Sequence, residues 1–155
     1  QLAGNWFLVG MASRCSYLAE HSHQLEATMV TMTVLDGESL AISTFRKLDR
    51  VCWEIRQHYL PAQAPGRFLL KGEGNWKNSK VDMVVGEADP TSFIILYYEE
   101  GQKISVKLYG RSSVVGDAVM DKFEQRARAV GLSEDVTYYF PTYGGWHTAL
   151  RETCL

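Results

Sequence analysis

Gly4-Asn5-Trp6-Phe7-Leu8-Val9 is the stretch on which the fold turns. A glycine, a tryptophan two places on and then an aromatic and aliphatic run read as a short, heavily buried strand whose indole has a fixed place to fill. Working outward, similar runs recur near 5–11, 25–35, 38–47, 50–60, 66–71, 80–87, 92–99 and 103–112. Turn residues stand between many of them: Asp36-Gly37, Asp49-Arg50, Pro65-Gly66, Gly74-Asn75 and Gly101-Gln102. Short strands joined by such turns pair as antiparallel hairpins. Eight in simple succession predict an all-β fold, an eight-stranded antiparallel up-and-down barrel that closes on itself.

The period changes over 117–130. Val119, Phe123, Ala127 and Val130 form one apolar stripe, while Lys122, Glu124, Arg126 and Arg128 fall off it. One amphipathic α-helix is therefore predicted to pack on the barrel wall. Gly131 stands where a left-handed residue would end that helix. A last short strand is predicted over 136–140, stopped by Pro141. With no repeat, linker or low-complexity segment, 1–155 reads as a single domain.

Composition excludes several classes of function. The 16 Lys and Arg against 18 Asp and Glu leave a formal charge of -2, with no run of like charges to suggest nucleic acid or an anionic membrane. The longest apolar run, 93–98, falls far short of the ~20 residues that span a bilayer, so no direct membrane insertion is expected. A chain starting at Gln1 reads as a soluble, mature or trimmed form. His21, His23, His58 and His147 form no metal-ligand set with carboxylates at helical spacing, and neither metal nor cofactor is expected. Cys15, Cys52 and Cys154 lack the paired short spacing of a zinc site. In a secreted chain, three thiols make one disulfide and leave one over.

The opening motif gains meaning from its company. Gly4-Asn5-Trp6, the Leu108-Tyr109-Gly110-Arg111-Ser112 end of the eighth strand and the helix after it together resemble the lipocalin family. Further blocks in the same order carry the resemblance over most of the chain: Ser43-Thr44-Phe45-Arg46-Lys47-Leu48-Asp49, Cys52-Trp53, Arg56-Gln57, Gly66-Arg67-Phe68-Leu69-Leu70, Ser105-Val106-Lys107-Leu108-Tyr109, Phe123-Glu124-Gln125-Arg126 and Tyr139-Phe140-Pro141. The resemblance implies a secreted lipocalin calyx. It also implies that Trp6 and Arg111, beside Gly4, are the family's structural pair, the guanidinium lying across the indole at the closed end. Such a desolvated cation–π contact is worth ~1–2 kcal/mol. The family's middle motif, usually Thr-Asp-Tyr, falls on Ala88-Asp89-Pro90, where Pro90 in place of the aromatic implies a tight turn.

Within the family the match is nearest to a branch that serves as a subunit of the pore-forming terminal complement (membrane attack) complex. That resemblance implies a disulfide from Cys52 to the C-terminal tail, where Cys154 is the available partner. It further implies an interchain disulfide from Cys15, in the loop after the first strand, to the complement component eight alpha subunit, with the calyx mouth supplying further contact. The plain alternative is an ordinary half-buried thiol, but an unpaired thiol is a liability in an oxidising compartment. Closing a loop of ~100 residues with the Cys52–Cys154 bond would stabilise by about 4–5 kcal/mol in the entropic picture.

The family also contains an enzyme, a prostaglandin D synthase with an inward cysteine nucleophile. Alignment through Tyr17-Leu18 and Leu25 puts Thr28 in that place, and a threonine hydroxyl without an adjacent base is a poor nucleophile, so no catalytic residue is expected. A siderophore-binding member holds its anionic iron complex with two Lys and one Arg. Glu100, Ser105 and Gln57 fall near those places here, with Arg56 one residue out of phase, so siderophore capture is not favoured.

Because every second residue of a small barrel faces inward, taking Thr28 as inward yields a calyx lining. It comprises Val30, Met32, Ser43, Phe45, Trp53, Ile55, Gln57, Tyr59, Leu96, Tyr98, Ser105, Lys107 and Tyr109. A barrel simply packed with side chains is the alternative. Yet Ser43, Gln57 and Lys107 would then be buried polar groups needing partners, which favours a small hydrophobic ligand or a partner loop.

Overall fold

The computed structural model describes residues 2–22, 25–48, 51–71 and 81–141. Eight strands run in chain order: β1 (Gly4–Ala12), β2 (Thr28–Val34), β3 (Leu40–Leu48), β4 (Val51–Pro61), β5 (Arg67–Leu70), β6 (Val81–Asp89), β7 (Phe93–Glu100) and β8 (Lys103–Gly110). Each pairs antiparallel with its neighbour in sequence. β1 closes the barrel by pairing with β2 along its first half and with β8 along its second. A ninth strand, β9 (Thr137–Tyr139), lies against the second half of β1 and extends the sheet beyond the closure. The barrel and its order agree with the hairpin reading of the sequence.

Two α-helices stand among the described residues. α1 (Ser16–His21) follows β1 and was not anticipated; six residues without a side-chain cap are too few to leave a periodic signal. α2 (Asp117–Ala129) is the helix announced by the apolar stripe, with Phe123 and Ala127 buried. Its end is a Schellman motif. Gly131 takes φ +82°, its N–H donates to the Arg128 carbonyl at 3.0 Å, and the Leu132 N–H donates to the Ala127 carbonyl at 2.9 Å. Leu132 then packs in the same apolar cluster as Ala127.

Two cores result from one sheet. Inside the barrel, Trp6, Leu8, Val30, Met32, Leu40, Ile42, Tyr59, Met83, Ile94, Leu96 and Tyr109 pack with Phe140. Outside it, Val9, Ala12, Phe93, Ile95, Val106 and Leu108 meet Phe123, Ala127 and Leu132 under α2. β1 serves both, as β7 does by alternation, and its register with β8 shifts between Leu8 and Gly10, putting one extra residue, Val9, into the strand. A second shift, between Val85 and Glu87, does the same in β6. Glu87 is thereby turned toward α2, where it accepts hydrogen bonds from Lys122 Nζ at 2.7 Å and Arg126 Nη2 at 3.2 Å.

The alternation through β3 differs from the expectation. Thr28, Val30 and Met32 pair with Arg46, Thr44 and Ile42, so Leu40, Ile42, Thr44 and Arg46 share the inner face. Ser43 and Phe45 lie on the outer face instead. Phe45 packs there with Met29 and Phe7 in a small cluster of its own. Both faces of this hairpin carry apolar residues, so hydrophobicity alone does not say which is the inside.

Candidate functional site

The two ends of the barrel are built differently. At the closed end, Trp6 is fully buried, and its indole Nε1 donates to the Leu2 carbonyl at 2.8 Å. Arg111, just past β8, places its guanidinium 3.7 Å from the centre of the Trp6 ring. The same guanidinium donates to three carbonyls: Pro90 at 2.8 Å, Asn5 at 3.0 Å and Ala3 at 2.8 Å. Gly4 has φ +111°, and a Cβ there would sit 2.8 Å from Arg111 Nη1, so only glycine allows this approach. Pro90 takes part in a turn held by Asp89, whose carboxylate accepts from the Thr91 N–H and hydroxyl at 3.0 and 2.8 Å.

At the other end a cavity of about 650 Å³ opens between β1, β4, β7 and β8. Its inner part is lined by Gln57 and Tyr59 of β4, Tyr98 of β7, Ser105 and Lys107 of β8, and Met11 and Ser13 from the end of β1. Arg14, Cys15, Ser16, Glu100, Gln102 and Lys103 form part of its rim. Burial pushes the Tyr98 hydroxyl well above the usual tyrosine range, with Tyr109 and Tyr59 adding to the rise. Burial raises Tyr59 in the same way, and its hydroxyl donates to Gln57 Oε1 at 3.3 Å. Ser105 Oγ donates to Ser13 Oγ at 3.0 Å. Lys107 Nζ sits 4.5 Å from the centre of the Tyr98 ring.

The expected lining therefore divides. Gln57, Tyr59, Tyr98, Ser105 and Lys107 meet around the cavity. Val30, Met32, Leu96 and Tyr109 belong to the packed interior below it. Thr28 is buried at the edge, where its hydroxyl accepts from Arg46 Nε at 2.8 Å and donates to the Glu26 carbonyl at 3.0 Å. Trp53 and Ile55 continue the face of Gln57 and Tyr59 but are 56% and 58% exposed, on a part of β4 that reaches past the described extent of β5. Met11 and Ser13 were missed, because plain alternation from Trp6 and Leu8 would put Gly10 and Ala12 inward, and the extra residue at Val9 turns Met11 and Ser13 inward instead. Arg56 is exposed and paired with Glu54 at 2.8 Å, away from the cavity.

Of the cysteines, Cys15 is exposed and free, on the residue just before α1. Cys52, in β4, is disulfide-bonded; Cys154, its expected partner, lies outside the described residues, as do His23 and His147.

A barrel sealed at one end by a Trp–Arg stack, hollow at the other and braced by one helix is the lipocalin architecture. Residues 3–143 match the model of the lipocalin / cytosolic fatty-acid binding protein family, and the chain belongs to that family. It is 44% identical over 144 residues to the complement component C8 gamma chain of Oryctolagus cuniculus, a match spanning 93% of this chain and 70% of the relative. It is 30% identical to the prostaglandin-H2 D-isomerase of Sus scrofa, over 89% of this chain and 75% of that one. Among solved structures, the siderocalin Ex-FABP, described as having dual ligand specificities, superposes with a TM-score of 0.80 at 17% identity, covering 93% and 96% of the two chains.

Proposed function

We propose that this chain is a secreted, non-catalytic, single-domain lipocalin that works as a bound subunit. In this reading Cys15 forms an interchain disulfide with a partner resembling the complement component eight alpha subunit, and the calyx mouth holds a loop of that partner or a small lipophilic ligand. The observation that carries it is the placement of a free, exposed thiol on the rim of the cavity, so a partner reaching the mouth also reaches the sulfur. The 44% identity to a complement C8 gamma chain supports the choice of partner. A Cys52–Cys154 bond leaves Cys15 as the one thiol available for that link. The non-catalytic reading is supported by Thr28, whose hydroxyl is taken up by Arg46 and the Glu26 carbonyl.

Non-reducing electrophoresis of the protein co-expressed with such an alpha chain tests the link. The wild type should migrate as a thiol-sensitive adduct. Cys15→Ser should migrate alone while still co-purifying under gentle conditions, and a wild type that never forms the adduct overturns the proposal. A second reading, a free carrier of a small hydrophobic molecule such as a retinoid, a fatty acid or a siderophore-like ligand, is favoured by one observation: the hollow inner end of the mouth, with Lys107 in it.

A further inference from the structure

The mouth of the barrel carries a charge opposite to that of the molecule. The whole chain has a formal charge of -2, but the described residues at the mouth include three cations, Arg14, Lys103 and Lys107, against one carboxylate, Glu100. Glu100 stands opposite Lys103 in the register of β7 with β8 and offsets one of them. Among the described residues none of the three cations forms an ion pair; the ion pairs there lie on Glu54, Asp82 and Glu87. α1 has no acidic residue in its first turn, and Glu20, in its second, stays out of the lining. Cations gathered on one rim attract an anionic partner and repel a cationic one.

Arg14 is the cation next to Cys15 in sequence, and its position is fixed. Before it, Ser13 is buried, its N–H donates to the Val136 carbonyl at 2.9 Å and its Oγ accepts from Ser105 Oγ at 3.0 Å. Arg14 reaches from there to the residue just past α2, where Nη2 donates to the Gly131 carbonyl at 2.7 Å. That end of a helix is the negative pole of its dipole and favours a cation. After it, the Cys15 carbonyl accepts from the Ala19 N–H at 3.3 Å, and Leu18 of α1 is buried. The exposed thiol is thus carried between two anchored points. A guanidinium offers five N–H donors in a planar fork; Arg14 uses one on Gly131, which leaves donors for a carboxylate that arrives with the sulfur of a partner.

We infer that the partner segment this rim receives is acidic around its cysteine, and that Arg14 sets the preference by taking a carboxylate beside that cysteine. This rests on the reading of Cys15 as the site of an interchain disulfide. The bond forms by exchange: the Cys15 thiolate attacks the partner's sulfur in a mixed disulfide with a small thiol, the new S–S bond forms as the old one breaks, the small thiol leaves as its thiolate, and the Cys15 proton goes to solvent. One disulfide is made for one broken, so no oxidant enters the step. The cations act on the encounter, holding the acidic segment where the two sulfurs meet.

Short peptides with a single cysteine activated by thionitrobenzoate, flanked by aspartates, serines or lysines, test this on the full chain through the coloured thiolate released, with Cys15→Ser as the blank. At low ionic strength the aspartate peptide should couple about tenfold faster than the serine peptide, and the lysine peptide slower still. Added salt should shrink the gap. Arg14→Gln should remove most of it and Arg14→Lys should keep part. Hydroxyethyl disulfide, which is uncharged, should react with the wild type and both variants at closely similar rates, separating a lost carboxylate contact from an altered thiol. Equal rates for the three peptides, or a preference that survives Arg14→Gln and disappears in Lys103→Gln, overturns the inference. Either result leaves the interchain link standing, since that link is judged by the adduct with the alpha chain. A chain that forms no such adduct yet prefers the aspartate peptide loses the named partner and keeps the acidic preference of the rim.

Discussion

The closed and open ends of this barrel use the same residue types to opposite effect. At the floor, Arg111 stacks on a tryptophan and its donors are met by three backbone carbonyls. At the mouth, Lys107 stacks on a tyrosine, and no carboxylate among the described residues forms an ion pair with it. The floor tryptophan is fully buried, whereas the mouth tryptophan, Trp53, is more than half exposed. A cation on an aromatic ring is therefore not by itself a sign of structure or of binding. What separates the two is whether the remaining hydrogen-bonding capacity is met from within the fold, as it is for Arg111, or left facing the cavity, as it is for Lys107.

Substitutions can break this contrast at either end. The largest effect belongs to the floor: Trp6→Ala removes a fully buried indole and should destabilise by ~3–5 kcal/mol in urea unfolding. A loss below ~1 kcal/mol would show that the stack with Arg111 does not hold the closed end. Next comes the tyrosine layer between the ends. The fold keeps the Tyr98 and Tyr59 hydroxyls protonated to higher pH than their ordinary value of 10.0. Above that pH the unfolded chain loses its protons first, so the unfolded state binds fewer and stability falls as pH rises. Thermal melts between pH 8 and pH 11 should therefore fall at the alkaline end for the wild type and less steeply for Tyr98→Phe. The smallest effect belongs to the mouth: Trp53→Ser should change stability by no more than about 0.5 kcal/mol, as for other exposed positions. A larger loss would mean that Trp53 is part of the core and not surface kept for a ligand or partner.

The barrel was legible because its signals are local. Turn residues separate the runs, and the stripe from Val119 to Val130 with Gly131 behind it announces α2 unambiguously. The floor was legible through its motif, since glycine, tryptophan and arginine are each demanded by the geometry of the stack. The cavity was legible only in part. Counting alternate residues works along Gln57 and Tyr59, and again along Ser105 and Lys107. It fails in β3, where Phe45 has an apolar pocket of its own outside the barrel, and at Met11, downstream of an inserted residue. α1 escaped notice for a different reason, being one and a half turns with no cap to mark its start. Nor does any sequence pattern announce that Lys122 and Arg126, off the apolar stripe, converge on Glu87 of β6.

The two register shifts have a consequence for which changes of length the chain can survive. In the sheet order β6, β7, β8, β1 they stand at the two borders of the panel that carries α2. Each lets residues of one parity face the barrel interior before the shift and the helix side after it, Leu8 and then Ala12 in β1, Val85 and then Glu87 in β6. Removing Val9 or Gly86 would leave composition and hydrophobicity almost untouched, yet would exchange inside for outside along the remainder of that strand. At these two sites the count of residues carries structural information beyond their identities, although position 86 must also stay glycine because a Cβ there would run into the Tyr97 ring; the chain should bear many substitutions around them more easily than a single deletion.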